Sequence, residues 1–151
     1  MAKTNKTTET LILQLFSLCR NQAEKDVYVT VETEFAEVDN VGKKFSSSRN
    51  VQLYKVLHIT RFFDTSLRLF LDIHDCRGNG HSIGDYIKAL AKPNNGLTQL
   101  NSNLSQRYVN DIANVRNLFL HTSGQSPTLR EFNEIKNKIH ECLQITLCLH
   151  V

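Results

Sequence analysis

Apolar residues recur along this chain with the period of a helix more often than that of a strand. Leu11, Leu15 and Leu18 share one face, and Thr7 or Thr8 offers a capping hydroxyl, so a first helix is predicted from there to about Lys25. The next stretch reads two ways. Val27, Val29, Val31 and Phe35 alternate as in a strand, whereas Val27, Val31, Phe35 and Val38 form a helical stripe. No turn signal nearby supplies a partner strand, which favours the helix, but the pattern alone leaves residues 27–45 open. Ser46, Ser47 and Ser48 then precede the longest predicted helix, Arg49 to Asp75.

That helix carries a broad apolar face through Leu53, Val56, Leu57, Phe63, Leu67, Phe70 and Leu71. A polar stripe at helical spacing opposes it: His58, Arg61, Thr65, Arg68 and Asp72. Such a stripe is either a solvated outer face or a face that meets phosphate or a partner subunit. Arg77-Gly78-Asn79-Gly80 breaks the helix, and Ser82-Ile83-Gly84-Asp85 is a capping box that opens a short helix through Ala91. Pro93-Asn94-Asn95-Gly96 reads as a loop. Leu104, Tyr108, Ile112, Val115 and Phe119 follow at spacings of 4, 4, 3 and 4, the most regular amphipathic pattern in the chain. It ends at Thr122-Ser123-Gly124, where Gly124 suits a left-handed cap. Ser126-Pro127 or Thr128-Leu129-Arg130-Glu131 starts a last helix with Phe132, Ile135, Ile139, Cys142 and Leu143 inward. The expected fold is all-α, a bundle of four or five helices in one domain over residues 1–151, with residues 1–6 as a flexible tail.

Composition adds exclusions rather than a function. A chain of 151 residues with 40% hydrophobic and 22% charged residues builds its own core without staples. Two prolines and six glycines argue against a many-stranded sandwich. Eighteen Lys and Arg against fifteen Asp and Glu give a net charge of +3, which tolerates a polyanion partner without demanding one. Cys19, Cys76, Cys142 and Cys148 contain no C-x-x-C pair and no histidine at zinc-finger spacing, so no structural metal is expected. The apolar run Leu11 to Phe16 is short, interrupted by Gln14, and lacks a cleavage site, so no signal peptide is expected. No stretch approaches the ~20 apolar residues of a membrane span. A cytoplasmic protein without membrane contact is the expectation.

Familiar catalytic devices are missing: the chain has no P-loop, G-x-G-x-x-G, H-E-x-x-H or G-x-S-x-G. His58, His74, His81, His140 and His150 stand alone, without a second ligand at metal spacing. One constellation differs, Arg116-Asn117-Leu118-Phe119-Leu120-His121, at the end of the most regular helix. Asn117 and His121 are i and i+4, so the amide can hold one imidazole nitrogen. Arg116 has a stem long enough to swing toward the helix end. A permanent cation with a fork of donors beside an imidazole suits phosphodiester cleavage: the histidine moves a proton, and the arginine stabilises charge on the phosphoryl oxygens.

With this motif, the Ser/Gly/Pro turn after it and the closing amphipathic helix, the chain resembles the HEPN superfamily over roughly Val51 to Leu147. That superfamily carries R-x(4–6)-H, usually with a polar residue directly after the arginine, as Asn117 is here. A second match, Arg68 to His74, lies mid-helix, has Leu69 after the arginine and lacks the turn. The resemblance implies an all-α, mostly dimeric bundle and a metal-independent endoribonuclease without cofactor, of the kind found in toxin–antitoxin and antiphage defence systems. It makes Arg116, Asn117 and His121 the catalytic candidates. Arg61, Arg68 and Arg107 are candidates for RNA backbone contacts. One histidine cannot both take a proton from the 2′-hydroxyl and protonate the leaving oxygen in one step, so a homodimer with two copies of the motif in one cleft is expected. An antitoxin or defence-system partner protein is a further expectation. Members paired with a nucleotidyltransferase antitoxin carry a tyrosine two residues after the histidine. Ser123 stands there, so control through that tyrosine is not implied. A non-catalytic HEPN scaffold that binds RNA, nucleotide or a partner protein is the alternative, and a plain helical interaction domain is a third.

Overall fold

The computed structural model describes residues 7–45, 50–92, 100–121 and 126–148, and every regular element among them is helical. These are α1 (Thr8–Leu18), α2 (Gln22–Lys44), α3 (Val51–Ile73), α4 (Ile83–Ala89), α5 (Ser102–Tyr108), a π-helical turn (Val109–Asn114), α6 (Val115–His121) and α7 (Leu129–Cys148). With α5, the π turn and α6 taken as one continuous rod, the described residues form six helices, against the four or five expected. The expected tail 1–6, the serines 46–48, the loop 93–96 and the break 122–124 lie outside the described residues.

The first correction explains the extra helix. The helix expected to run to Lys25 stops at Leu18, because Cys19 turns extended and Asn21 starts a new one. The Asn21 Oδ1 accepts from the Glu24 backbone N–H at 2.9 Å, and the Glu24 carboxylate is gripped by Arg20 at 2.8 Å. The break frees α1 to reach α7. There the Thr8 hydroxyl meets His140 Nδ1 at 3.0 Å, and Gln14 Nε2 donates to the Leu147 carbonyl at 2.7 Å. Residues 27–38 are helical within α2, with Tyr28, Val31 and Val38 buried.

Helix α3 is the hub. It packs against α1, α2, α4, α6 and α7, and Ile59, Phe62, Leu69 and Ile73 are buried beside the expected apolar face. A helix apolar on nearly every side is one enclosed by neighbours. Its polar stripe is therefore only partly an outer face. His58 pairs with Glu34 of α2 at 2.8 Å, Asp72 with Arg77 at 2.7 Å, and Thr65 is buried, while Arg61 remains exposed. At the N-terminus of α3, Asn50 makes no side-chain cap; its Oδ1 accepts from the Ser126 hydroxyl at 2.8 Å.

The two capping boxes form. The Ser82 hydroxyl accepts from the Asp85 N–H at 3.2 Å to start α4. Thr128 and Glu131 exchange bonds of 3.1 and 3.0 Å at the start of α7. All five inward residues expected of α7 are buried, and they join the single core cluster built around α3. No described helix is long and apolar enough to cross a membrane.

Candidate functional site

Arg116 to His121 occupies α6, the last seven residues of the rod that begins at Ser102. The π turn just before it changes where these side chains face. A π-helical segment pairs i with i+5 and inserts one residue into the helix, which rotates everything after it by about 100° relative to an uninterrupted α-helix. Tyr108, Ile112, Ala113 and Phe119 stay buried through this shift, while Asn114, Asn117, Leu118 and His121 emerge as an exposed ridge.

Arg116 sits at the inner edge of that ridge, half-buried. Its Nε donates to the Thr60 Oγ1 of α3 at 3.3 Å. The Thr60 hydroxyl has no exposure at all and donates to the Val56 carbonyl at 2.7 Å, so its lone pairs are left for the arginine. Asp64, one turn further along α3, faces both Arg116 and Arg68. Burial pushes its carboxyl above the ordinary aspartate range, and the two guanidinium charges pull the other way. One face of α3 thus fixes the stem of Arg116 and supplies a countercharge. The free end of the fork remains at the surface, with Nη1 at 3.5 Å from the Asn117 Oδ1.

The other expected site residues divide. His121 is exposed at the end of α6, and among the described residues it makes no hydrogen bond. The amide of Asn117 therefore turns to Arg116 and does not hold the His121 ring as the i, i+4 spacing suggested. Arg68 converges with Arg116 on Asp64, Arg61 is exposed two turns earlier on α3, and Arg107 is exposed in the last turn of α5. His74 of the second motif match caps α3, with Nδ1 against the Phe70 carbonyl at 2.8 Å and its ring 4.4 Å from that of Phe70. It is a helix-end residue.

Thr60 and Asp64 were not legible as site residues. Both lie off the polar stripe drawn through His58, Arg61 and Arg68, on a side that sequence periodicity assigns to packing. The available signal was their own i, i+4 spacing, continued by Arg68.

Two clefts flank α6, and charge distinguishes them. One, of about 390 Å³, lies toward α7 over Leu118, Phe119 and Ile135 and carries Asp111, Glu131 and Glu134 against Lys138, which disfavours a phosphate. The other, of about 210 Å³, lies toward α4 and has Arg116 and Lys88 in its wall against Asp85. Among the described residues no group of three or more His, Cys, Asp or Glu is arranged to hold a metal ion. No protein-family model, curated protein or solved structure matches the chain.

Proposed function

We propose that this chain is a metal-independent endoribonuclease of the HEPN type, acting as a homodimer in a toxin or antiphage defence setting. The observation that carries the reading is a positioned cation on the same short helix that ends in an exposed histidine. Arg116 is held by a hydrogen bond to Thr60 of the central helix and is attracted by the Asp64 carboxyl one turn on, while its fork stays at the surface of the same short helix that ends in exposed His121. Preorganised charge of this kind stabilises a transition state without reorganisation during the reaction.

In the proposed reaction His121 takes the proton of an RNA 2′-hydroxyl, and the 2′-oxygen attacks the adjacent phosphorus. Arg116 neutralises charge building on the non-bridging oxygens. The P–O5′ bond breaks, and His121 of a second copy protonates the departing 5′-oxygen, leaving a 2′,3′-cyclic phosphate and a 5′-hydroxyl. Leu118, 53% exposed between Asn117 and His121, gives the ridge the apolar contact that a second copy would cover. Asn117 holds the guanidinium rather than the imidazole. Arg61, Arg68 and Arg107 contribute cationic charge for the RNA backbone.

The bond between Thr60 and Arg116 also favours a second reading, a non-catalytic module in which Arg116 pins α6 to α3 and the surface binds RNA, nucleotide or a partner protein. His121→Ala separates the two. His121 touches nothing in the core, so the variant folds as wild type by circular dichroism. Cleavage of total RNA in EDTA falls by ~10²–10⁴-fold, the usual contribution of an acid–base group. A folded His121→Ala protein that cuts RNA at the wild-type rate, or wild-type activity that vanishes with EDTA and returns with magnesium, overturns the ribonuclease reading.

A further inference from the structure

The cleft between α4 and the rod is used by nothing in the reaction above except Arg116 and its partner Asn117 in the wall. We propose that it is a nucleobase subsite, which takes the base of the nucleotide whose phosphate meets Arg116 and so decides where RNA is cut. This rests on the ribonuclease reading for its consequence, though the binding of a ribonucleoside monophosphate there is a separate property.

Size is the first support. About 210 Å³ is below the roughly 300–1,000 Å³ of drug-sized sites and suits a single flat ring system. The walls are the second. Val109 and Ala113 supply apolar surface, and Asn114 and Asn117 bring two amides to the same cleft. The π turn is responsible for this company, because Val109 and Asn114 are i and i+5 and stack only in a π-helical register. The Asn114 Nδ2 donates to the Asn110 Oδ1 at 3.2 Å, and the Asn117 Oδ1 accepts from Arg116. One amide oxygen and one amide nitrogen are thereby left over, an acceptor and a donor. Adenine and cytosine present an exocyclic donor beside a ring acceptor, guanine and uracil the reverse, so a donor and an acceptor held in one order distinguish the two pairs of bases.

Gly84 is the third support. It lies inside α4, where glycine is a poorer helix former than alanine, and its backbone is not in the left-handed region. A methyl group built there meets only the Ser82 Oγ, at 3.9 Å. Packing therefore does not demand the glycine; its missing side chain leaves room in the cleft. Charge is the fourth. The Asp85 carboxylate accepts from the His81 N–H at 3.3 Å and is held below the usual carboxylate range by that bond and by Ser82, chiefly the latter. Lys88 and Arg116 outnumber it in the cleft wall, which leaves cationic donors for a phosphate there.

The test adds a side chain rather than removing one. The 15N-labelled full chain is titrated with each of the four ribonucleoside 3′-monophosphates, and with inorganic phosphate as the control for charge alone. The expected result is saturable shifts at the Gly84, Ala113 and Asn114 amides that depend on the base and are absent with phosphate. Gly84→Leu fills the cleft and lowers this affinity by ~10-fold or more. Gly84→Ala, which restores a good helix residue, lowers it less and secures the result should the leucine variant unfold. In a parallel arm, RNA ends mapped after cleavage lose their nucleotide preference in the Gly84 variants. Equal shifts with phosphate and nucleotides, no shifts at these amides, or unchanged affinity in both folded Gly84 variants overturns the subsite. If nucleotides bind the cleft as expected but wild-type protein cuts no RNA, the ribonuclease reading fails and the nucleotide site stands. If RNA is cut with the same preference in the Gly84 variants, the subsite alone fails.

Discussion

Thr60→Val separates the position of Arg116 from the stability of the fold. The side chain is fully buried, and valine has nearly its shape, so packing around α3 is preserved. The Val56 carbonyl that receives the Thr60 hydroxyl also lies within hydrogen-bond reach of the helix backbone, so losing the hydroxyl need not orphan it. What disappears is the 3.3 Å bond from Arg116. Hydrogen bonds to charged groups contribute about 1.5–3 kcal/mol, but this one is long and its donor is half-exposed, so water recovers much of it. A net stability change below about 1 kcal/mol is expected, which for a chain of this size moves Tm by no more than roughly 2–4 °C. For cleavage, loosening the guanidinium should cost about 1.4 kcal/mol of transition-state stabilisation, a ~10-fold slower step. Thr60→Ser gives the crossed result. It keeps the hydroxyl and the arginine's position but deletes a buried methyl, at a cost of about 1 kcal/mol in stability. The assay pairs thermal unfolding with single-turnover cleavage of a structured RNA. A Val variant that cuts as fast as wild type, or a Ser variant as slow as the Val variant, would refute Thr60 as the residue that positions Arg116.

Asp64 sets a pH signature. Its native carboxyl titrates above the unfolded value, so in the window just above the ordinary aspartate range the native state binds more protons than the unfolded one, and this group's contribution to stability falls as pH rises. Asp64→Asn removes that decline. Its Tm relative to wild type should therefore improve from pH 4 to pH 7, and a relative loss over that range would contradict the burial of the carboxyl. Cys142 supplies a check on packing. Its thiol is fully buried and pushed up to about 12, so native protein at neutral pH should take up an alkylating reagent at half-buried Cys19 or Cys76 well before Cys142. Peptide mass mapping that shows Cys142 modified as fast as the other two would mean the α3–α7 core opens readily.

Much of the fold was legible because local rules and tertiary packing agree. The capping boxes at Ser82 and Thr128 form as their side-chain chemistry dictates, and the inward stripe of α7 is buried residue for residue. Disagreement arose where a short polar signal competed with a continuing apolar pattern. Cys19 ends one helix and Asn21 caps the next, yet the leucine stripe before them and the valines after them read through without a gap.

The order of residues by itself determined the helical class, most helix boundaries and the presence of Arg116 and His121 on one short helix, since each depends on spacings of three to five residues. Tertiary structure decided what surrounds that pair. The bond of Arg116 to Thr60 and its attraction to Asp64 span more than fifty positions of sequence and exist only because α3 lies at the centre of the bundle. The placing of Val109 and Asn114 in one cleft wall beside Gly84 follows from one inserted residue of π-helix between Val109 and Asn114. No local propensity encodes that insertion; it is set by how the buried side chains of the rod settle against α3, α4 and α7.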